Sequence, residues 1–505
     1  MMKYPIGIQD FGGLRRDGYV YVDKTKHIHR IINSGKYYFL SRPRRFGKSL
    51  TLSTMKELYS GRADLFKGLW IEDKWDFKAM ERPVIWLKFA KLDYHSKGLE
   101  AALNEEIVAI GKEFGLTLSH NNLKNNFSKL IQLVGSEDKR AVLLIDEYDK
   151  PIIDYLDDLE QVDTNRAILK RFYSVIKDSD PYLDFVFITG VSAFSKVSIF
   201  SDLNNISDIS LDRLAVDLVG ITQQELESYF AEEMQEIDAD LLKRWYNGYS
   251  WNGKTTLYNP FSLLSFLRSR QYHNFWYATG TPTFLIKEMK KQRYYDIGQV
   301  EASQMGLSSF NVERLNPVTV LFQTGYLTIV DNSEGFGFYT LSYPNIEVKQ
   351  SLQRHLLELY LDYPLHEPGL RVLKLKGMLE RNDLAGVVTI INTLFAELPF
   401  DHWRRDDEHL FHAIVHLIFS LLGVIIQSEV HTARGRCDAI VKTDQYIYAF
   451  EFKRDGTAPA ALQQIEERAY LSPYADDARE KIAVGINFSS ETKQVVEWET
   501  VSSAG

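Results

Sequence analysis

Three short stretches of the chain carry residue types at spacings suited to phosphate chemistry. The first is "RPRRFGKSL", residues 42–50. It closes on Gly47-Lys48-Ser49, the end of a loop whose main-chain amides converge on phosphate oxygens at a helix N-terminus. Lys48 would reach the β- and γ-phosphates, and the Ser49 hydroxyl would ligate Mg²⁺. Loops of this kind ordinarily carry glycine where this chain has Arg42. Arg42-Pro43 must therefore bend without glycine, with Pro43 fixing φ. Arg42, Arg44 and Arg45 add positive charge beside the phosphates. The candidate nucleotide-contacting run is Arg42, Pro43, Arg44, Arg45, Phe46, Gly47, Lys48, Ser49 and Leu50.

The second stretch is "AVLLIDEYDKP", an apolar run ending in Asp146-Glu147. Asp146 would hold Mg²⁺ through water, and Glu147 would orient or polarise an attacking water. The run "FVFITGVS" carries Thr189 and Ser192, whose hydroxyls would sense the γ-phosphate from the same sheet edge. Ligands of open α/β sheets gather at the carboxyl ends of the strands, so these three strand ends would converge. Together the parts call for ATP with Mg²⁺.

The third stretch is C-terminal: "RCDAIV" with Asp438, and "AFEFKR" with Glu451 and Lys453. Strand side chains alternate, so Glu451 and Lys453 share a face while Phe450 and Phe452 point the other way. The short turn "KTDQ" brings Asp438 alongside. Two carboxylates and a lysine on adjacent strands can bind Mg²⁺ and activate water for phosphodiester hydrolysis. Glu429, on the strand before, is a further metal-ligand candidate. The bare pattern is common, and a salt-bridge cluster on a hairpin has the same residues.

These groups need a scaffold. "KYYFL", "VIWLKF", "AVLLID" and "FVFITGV" are dense in β-branched and aromatic residues, as in parallel strands buried on both faces. Helical patterns separate them, which argues for an α/β sheet over residues 1–215. From 216 the texture changes. "GITQQELESYF" opens with a capping box from Thr222 to Glu225. Aromatic-rich helices follow, then a hairpin with a glycine-rich turn, giving a helical and winged-helix-like lid over 216–345. Residues 346–400 read as a helical linker. Residues 401–505 read as helix, three strands, helix, strand.

Composition limits the functional classes. The 505 residues suit two or three domains, and 45% apolar content suits ordinary cores. A net charge of −9 confines any nucleic-acid contact to a local basic patch. The single cysteine, Cys437, forbids an internal disulfide and a cysteine-based zinc site, which fits a reducing cytoplasm. The N-terminus lacks the apolar core of a signal peptide. The apolar stretch 412–426 is shorter than the ~20 residues needed to span a bilayer, so no membrane association is expected.

At this point the sequence resembles the bacterial AAA-ATPase-like proteins that carry a C-terminal PD-(D/E)XK nuclease-like domain. The matching stretches are "PIGIQDF", "YVDKT", "RPRRFGKSL", "LIDEYDKPI", "ITGVSAFSKVSIFSDLNNISDIS" and "SEVHTARGRCDAIV…YAFEFKRDGTAPAALQQIEERAY". The resemblance covers nearly the whole chain and makes the absent loop glycine a family trait. It implies a P-loop NTPase parallel sheet, a lid, and a nuclease-like α/β domain at 401–505. It implies ATP and Mg²⁺ as cofactors, DNA as partner, and a role in defence against mobile DNA or in its handling. Related ATPases often receive an arginine from a neighbouring subunit, which leaves a homo-oligomer open. An arginine commonly stands where this chain has Ala193, and Lys196 would substitute for it. "YVDKT" would lie near the base, and Glu408 and Gln464 resemble accessory positions of the nuclease fold. The competing reading is a nucleotide-gated interaction switch whose nuclease fold only docks partners.

Other constellations carry less. His412 and His416 are spaced for a metal site, but on a strongly apolar helix. Trp245, Tyr246, Tyr249 and Trp251 could stack bases, yet suit a lid core better. Arg434, Arg436 and Arg454 could meet nucleic-acid phosphates or simply be solvated. Cys437 is expected to be a small buried filler.

Overall fold

The computed structural model describes residues 2–503 apart from 120–121, 137–138, 193–198, 201–202, 204, 277–282, 292–296, 309–315, 334–336, 362–367, 397–412, 420, 422–426 and 433–434. The chain divides into two compact units, Met1–Gly280 with Gly298–Val348, and Thr281–Ile297 with Lys349–Gly505.

In the first unit, β1 (Tyr37–Ser41), β2 (Val84–Lys88), β3 (Ala141–Asp146), β4 (Leu183–Gly190) and β5 (Ser207–Asp208) form one sheet in the order β2-β3-β4-β1-β5. Every pairing in it is parallel. β3 is buried along its whole length and β4 almost so, because each is an unbroken apolar run covered on both faces. The order inserts β4 between β1 and β3, so the phosphate-loop strand and the acidic strand both border the strand carrying Thr189.

Most of the stretch read from sequence as a lid belongs to the same unit, but Thr281–Ile297 belongs to the second. The capping box forms as the sequence requires: Thr222 and Glu225 exchange side-chain-to-backbone bonds at the start of the helix Gln223–Tyr229. Leu226, Phe230, Leu242, Tyr246 and Leu263 make its core around a short ribbon of β6 (Ile221–Thr222) and β7 (Leu257–Tyr258). Further on come β8 (Val300–Ser303), helices Gln304–Ser308 and Pro317–Thr324, then β9 (Thr328–Ser333) and β10 (Phe338–Ser342). Their sheet order is β8-β10-β9, with both pairings antiparallel.

The second unit is built on β11 (Gln427–Thr432), β12 (Gly435–Lys442), β13 (Tyr446–Arg454), β14 (Glu480–Ser489) and β15 (Gln494–Ser503), paired in that order. Only β13–β14 is parallel. The helix Ala458–Glu467 covers one face, where Ile465 meets Ile440 and Ala449. On the other face Phe419 packs against Phe450 and Phe452, with ring centres 4.9 and 5.7 Å apart. The helix Leu384–Ala396, read from sequence as part of a linker, bonds β15 through Asn392, which accepts from the Val495 amide at 2.7 Å. β15 itself is absent from the sequence reading. It is an edge strand with Val496, Trp498 and Val501 exposed, so its pattern looks like a polar tail. Among the described residues no helix is long and apolar enough to cross a membrane.

Candidate active sites

The phosphate loop makes its bend away from the missing glycine. Arg42 has no positive φ; the left-handed positions are Arg45 (φ 67°) and Gly47 (φ 97°). A left-handed non-glycine residue costs roughly 1–2 kcal/mol. The Arg45 guanidinium lies 4.7 Å from the Phe261 ring centre, a contact that helps hold this backbone. Gly47 caps the helix Lys48–Tyr59 without a side-chain acceptor, which directs the first-turn amides at the loop's mouth.

In front of these amides is a cavity of about 390 Å³. Arg44, Arg45, Lys48, Ser49, Glu147 and Asp149 form its polar wall, and Pro5, Ile8, Pro260, Phe261 and Leu264 its apolar one. Gly47 and Leu50 also line it. The Lys48 ammonium donates to the Arg42 and Pro43 carbonyl oxygens at 2.8 and 2.9 Å. Burial pushes that ammonium's pKa down, and Asp146, Glu147 and Asp149 oppose the push. Glu147 has φ 57°, and burial, then the Asp146 charge, raises its carboxyl.

Asp146 at the end of β3 and Asp149 just beyond it are latched to the end of β4. The Thr189 hydroxyl donates to Asp146 Oδ1 at 2.7 Å. Asp149, 1% exposed, accepts from the Ser192 amide and hydroxyl at 2.7 and 2.8 Å and from the Val191 amide at 3.0 Å. In the N-terminal segment, Lys24 donates to both Glu225 oxygens, at 2.6 and 2.7 Å, and to the Asp217 carbonyl. "YVDKT" is therefore a tie between the sheet unit's start and the lid.

In the second unit Asp438 sits one step beyond the paired Ala439 and Phe450, beside Glu451. Its Oδ2 accepts from the Phe452 amide at 2.8 Å. Gln464, from the covering helix, bridges the other two groups: its amide nitrogen donates to Glu451 Oε1, and its oxygen accepts from the Lys453 ammonium. Lys453 Nζ is also 3.5 Å from Glu451 Oε1. Glu451 is 4% exposed, and its Oε2 is buried with no hydrogen-bond partner. Burial, then the charge of Asp438, pushes its carboxyl up to about 7.

A predicted AAA-ATPase model of the AAA-ATPase-like family matches residues 5–200, and a PD-(D/E)XK nuclease superfamily model matches residues 406–498. A protein of Azotobacter chroococcum mcd 1, described as an uncharacterized protein in the vnfD 5' region, is 38% identical over 98% of this chain and 98% of its own. The chain belongs to the AAA-ATPase-like family and carries a C-terminal PD-(D/E)XK nuclease superfamily domain. No solved structure matches it.

Within the AAA-ATPase-like domain, Arg44, Arg45, Gly47, Lys48, Ser49, Leu50 and Glu147 line one cavity. Arg42, expected to add charge at this site, does not line the cavity. Its guanidinium is 1% exposed, donates to the Ser210 and Ala215 carbonyls at 2.7 and 2.9 Å, and lies 4.0 Å from the Trp251 ring centre. Pro43 and Phe46 likewise turn to the lid, since their apolar side chains find cover there. Asp146, Thr189 and Ser192 sit behind the cavity wall, with both hydroxyls engaged by carboxylates rather than aimed outward.

Asp149, on the cavity wall and bonded to Ser192, is not singled out by the phosphate-loop pattern. The signal is its place in "DEYDK", three residues beyond Asp146 and just before the helix Lys150–Ile153. Within the nuclease superfamily domain, Asp438, Glu451, Lys453 and Gln464 come together. Glu429 occupies the register position opposite Ile440. Arg454 pairs with Asp455 at 3.7 Å. Among the described residues no group of three His, Cys, Asp or Glu side chains converges as a metal site. Tyr246, Tyr249 and Trp251 are buried, as lid core. Ala193, Lys196, Glu408, His412 and Arg434 lie outside the described residues, as do the side chains of Glu429, Arg436 and Cys437.

Proposed function

We propose that the chain binds and hydrolyses ATP in its AAA-ATPase-like domain and cleaves DNA in a Mg²⁺-dependent reaction at its C-terminal domain, with nucleotide state controlling cleavage. The observation that carries the nuclease half is the buried, unpartnered Glu451 Oε2 beside Asp438. A buried carboxylate oxygen without a donor is costly unless a cation or proton satisfies it. Asp438 and Glu451 fit as holders of Mg²⁺, with Glu429 on the neighbouring strand a further candidate. Bound there, the ion would supply Lewis acidity and a lowered water pKa. Lys453 and Gln464 orient the Glu451 carboxylate and leave its second oxygen to the ion.

The ATP half is supported by the loop's left-handed bends, the uncapped helix start and the charged cavity. Ser49, which lines the cavity, fits as a direct holder of the nucleotide's Mg²⁺, Asp146 behind the wall as one that acts through water, and Glu147 as the group that orients or polarises the attacking water. The apolar wall from Pro5 to Leu264 suits a base. A cytoplasmic role in handling mobile DNA, or in defence against it, is consistent with this pairing of domains.

Plasmid cleavage with Mg²⁺ tests the reading, comparing the intact chain with Glu451→Ala and Lys48→Ala. Loss of nicking in both supports nucleotide-controlled cleavage. ATP turnover with no cleavage of any DNA tried overturns it in favour of the interaction switch.

A further inference from the structure

We propose that the lid positions the phosphate loop, with Trp251 and Arg42 as the positioning pair. The inference rests on the nucleotide reading above and adds to it a control element.

Loop residues 42 to 46 are each held by residues of the lid. The Arg42 guanidinium lies over Trp251 at 4.0 Å. Pro43 lies against Gly325, where an added Cβ would come within 2.7 Å of its ring. The Arg44 carbonyl accepts from Asn259 Nδ2 at 3.3 Å. Arg45 lies over Phe261. Phe46 stands edge-on to Trp251, with ring centres 5.3 Å apart, and its carbonyl accepts from the Gly220 amide at 3.1 Å.

The same main chain receives the Lys48 ammonium, at the Arg42 and Pro43 carbonyls. The residue that replaces the usual glycine thus faces two ways. Its carbonyl receives the phosphate-binding lysine, and its side chain is fixed by Trp251, Ser210 and Ala215. An arginine fits because this position needs no left-handed φ. If the lid holds the loop in its binding conformation, linkage requires that ATP hold the lid by the same factor.

The test uses the full-length chain with Trp251→Ala, Trp251→Phe and Arg42→Lys, the last keeping the charge but losing the planar fork. ATP affinity in Mg²⁺ is measured by calorimetry, ATP-dependent protection of segment 216–345 by limited proteolysis, and folding by thermal melting. Trp251→Ala and Arg42→Lys should each weaken ATP about tenfold and lose the protection in parallel, a coupling of ordinary size. Trp251→Phe keeps an aromatic face and should bind within about twofold of the parent. Folded Trp251→Ala or Arg42→Lys chains that bind ATP like the parent overturn the inference. If Trp251→Ala fails to fold, Arg42→Lys decides. A parent chain with no ATP affinity overturns the nucleotide reading and this inference together, whereas parent and folded variants that bind alike overturn this inference alone.

Discussion

The Thr189 hydroxyl donates to Asp146 Oδ1 at 2.7 Å, with both residues buried at the carboxyl edge of the parallel sheet. A hydroxyl suited by sequence to sense a nucleotide is already the partner of the carboxylate on the neighbouring strand. Thr189→Val keeps the shape and removes the donor, so it should cost ~1–3 kcal/mol of stability. Thr189→Ser should recover most of that. Denaturant melts measure both, and an unchanged midpoint for Thr189→Val would show that the bond contributes nothing.

Glu147 and Lys48 face the same cavity but should fail differently. Glu147→Gln should leave ATP affinity near the parent's and lower turnover by roughly 10²–10⁴-fold, the usual scale for a lost general base. Lys48→Ala should lose binding itself. Calorimetry and phosphate release separate the two; equal loss of affinity in both variants contradicts the assignment.

Asp149 satisfies two amides and a hydroxyl at the end of β4. Asp149→Ala would leave those donors buried without an acceptor, at a cost of ~2–4 kcal/mol. The expected result is a lower melting temperature together with faster proteolysis near Ser192. A melting curve superimposable on the parent's would remove Asp149 from the account.

At the C-terminal site, Gln464 bonds both Glu451 and Lys453, which suits an orienting part. Glu451→Ala and Lys453→Ala should abolish Mg²⁺-dependent cleavage while ATP turnover continues. Gln464→Ala should reduce cleavage by a smaller factor, because Lys453 and Glu451 remain within 3.5 Å of each other. A Gln464→Ala loss as complete as that of Glu451→Ala would assign the glutamine a direct part in the reaction.

Glu347 provides a pH test away from both sites. It is fully buried in the lid unit and accepts from the Trp276 amide at 2.8 Å, and burial raises its carboxyl to about 8. A carboxyl raised from 4.5 binds its proton more tightly folded than unfolded. Its contribution is therefore complete below pH 4.5 and is lost as pH rises through about 8. The lid unit should melt at lower temperature at pH 9 than at pH 7, and Glu347→Gln should flatten that difference. A slope unchanged in the variant would exclude Glu347 as its source.

The sequence by itself determined the elements that local pattern controls. Unbroken apolar runs marked β1, β3 and β4, because strands covered on both faces must be apolar throughout, and marked β2 too, although at the sheet edge its residues alternate between buried and half-buried. Thr222 and Glu225 marked a helix start, because a capping box lies within one turn of chain. Alternation put Glu451 and Lys453 on one face, and the short turn after Lys442 brought Asp438 to them. Tertiary structure alone decided what non-local neighbours set. Arg42 reads as a phosphate contact in sequence, but the Ser210 and Ala215 carbonyls of the sheet region and the Trp251 ring of the lid draw its guanidinium away from the cavity. Thr189 and Ser192 were legible as hydroxyls at a strand end, yet whether they face ligand or carboxylate depended on the register of β4 against β3 and the turn carrying Asp149. β15 stayed hidden because an edge strand buries too little of itself to need a continuous apolar pattern.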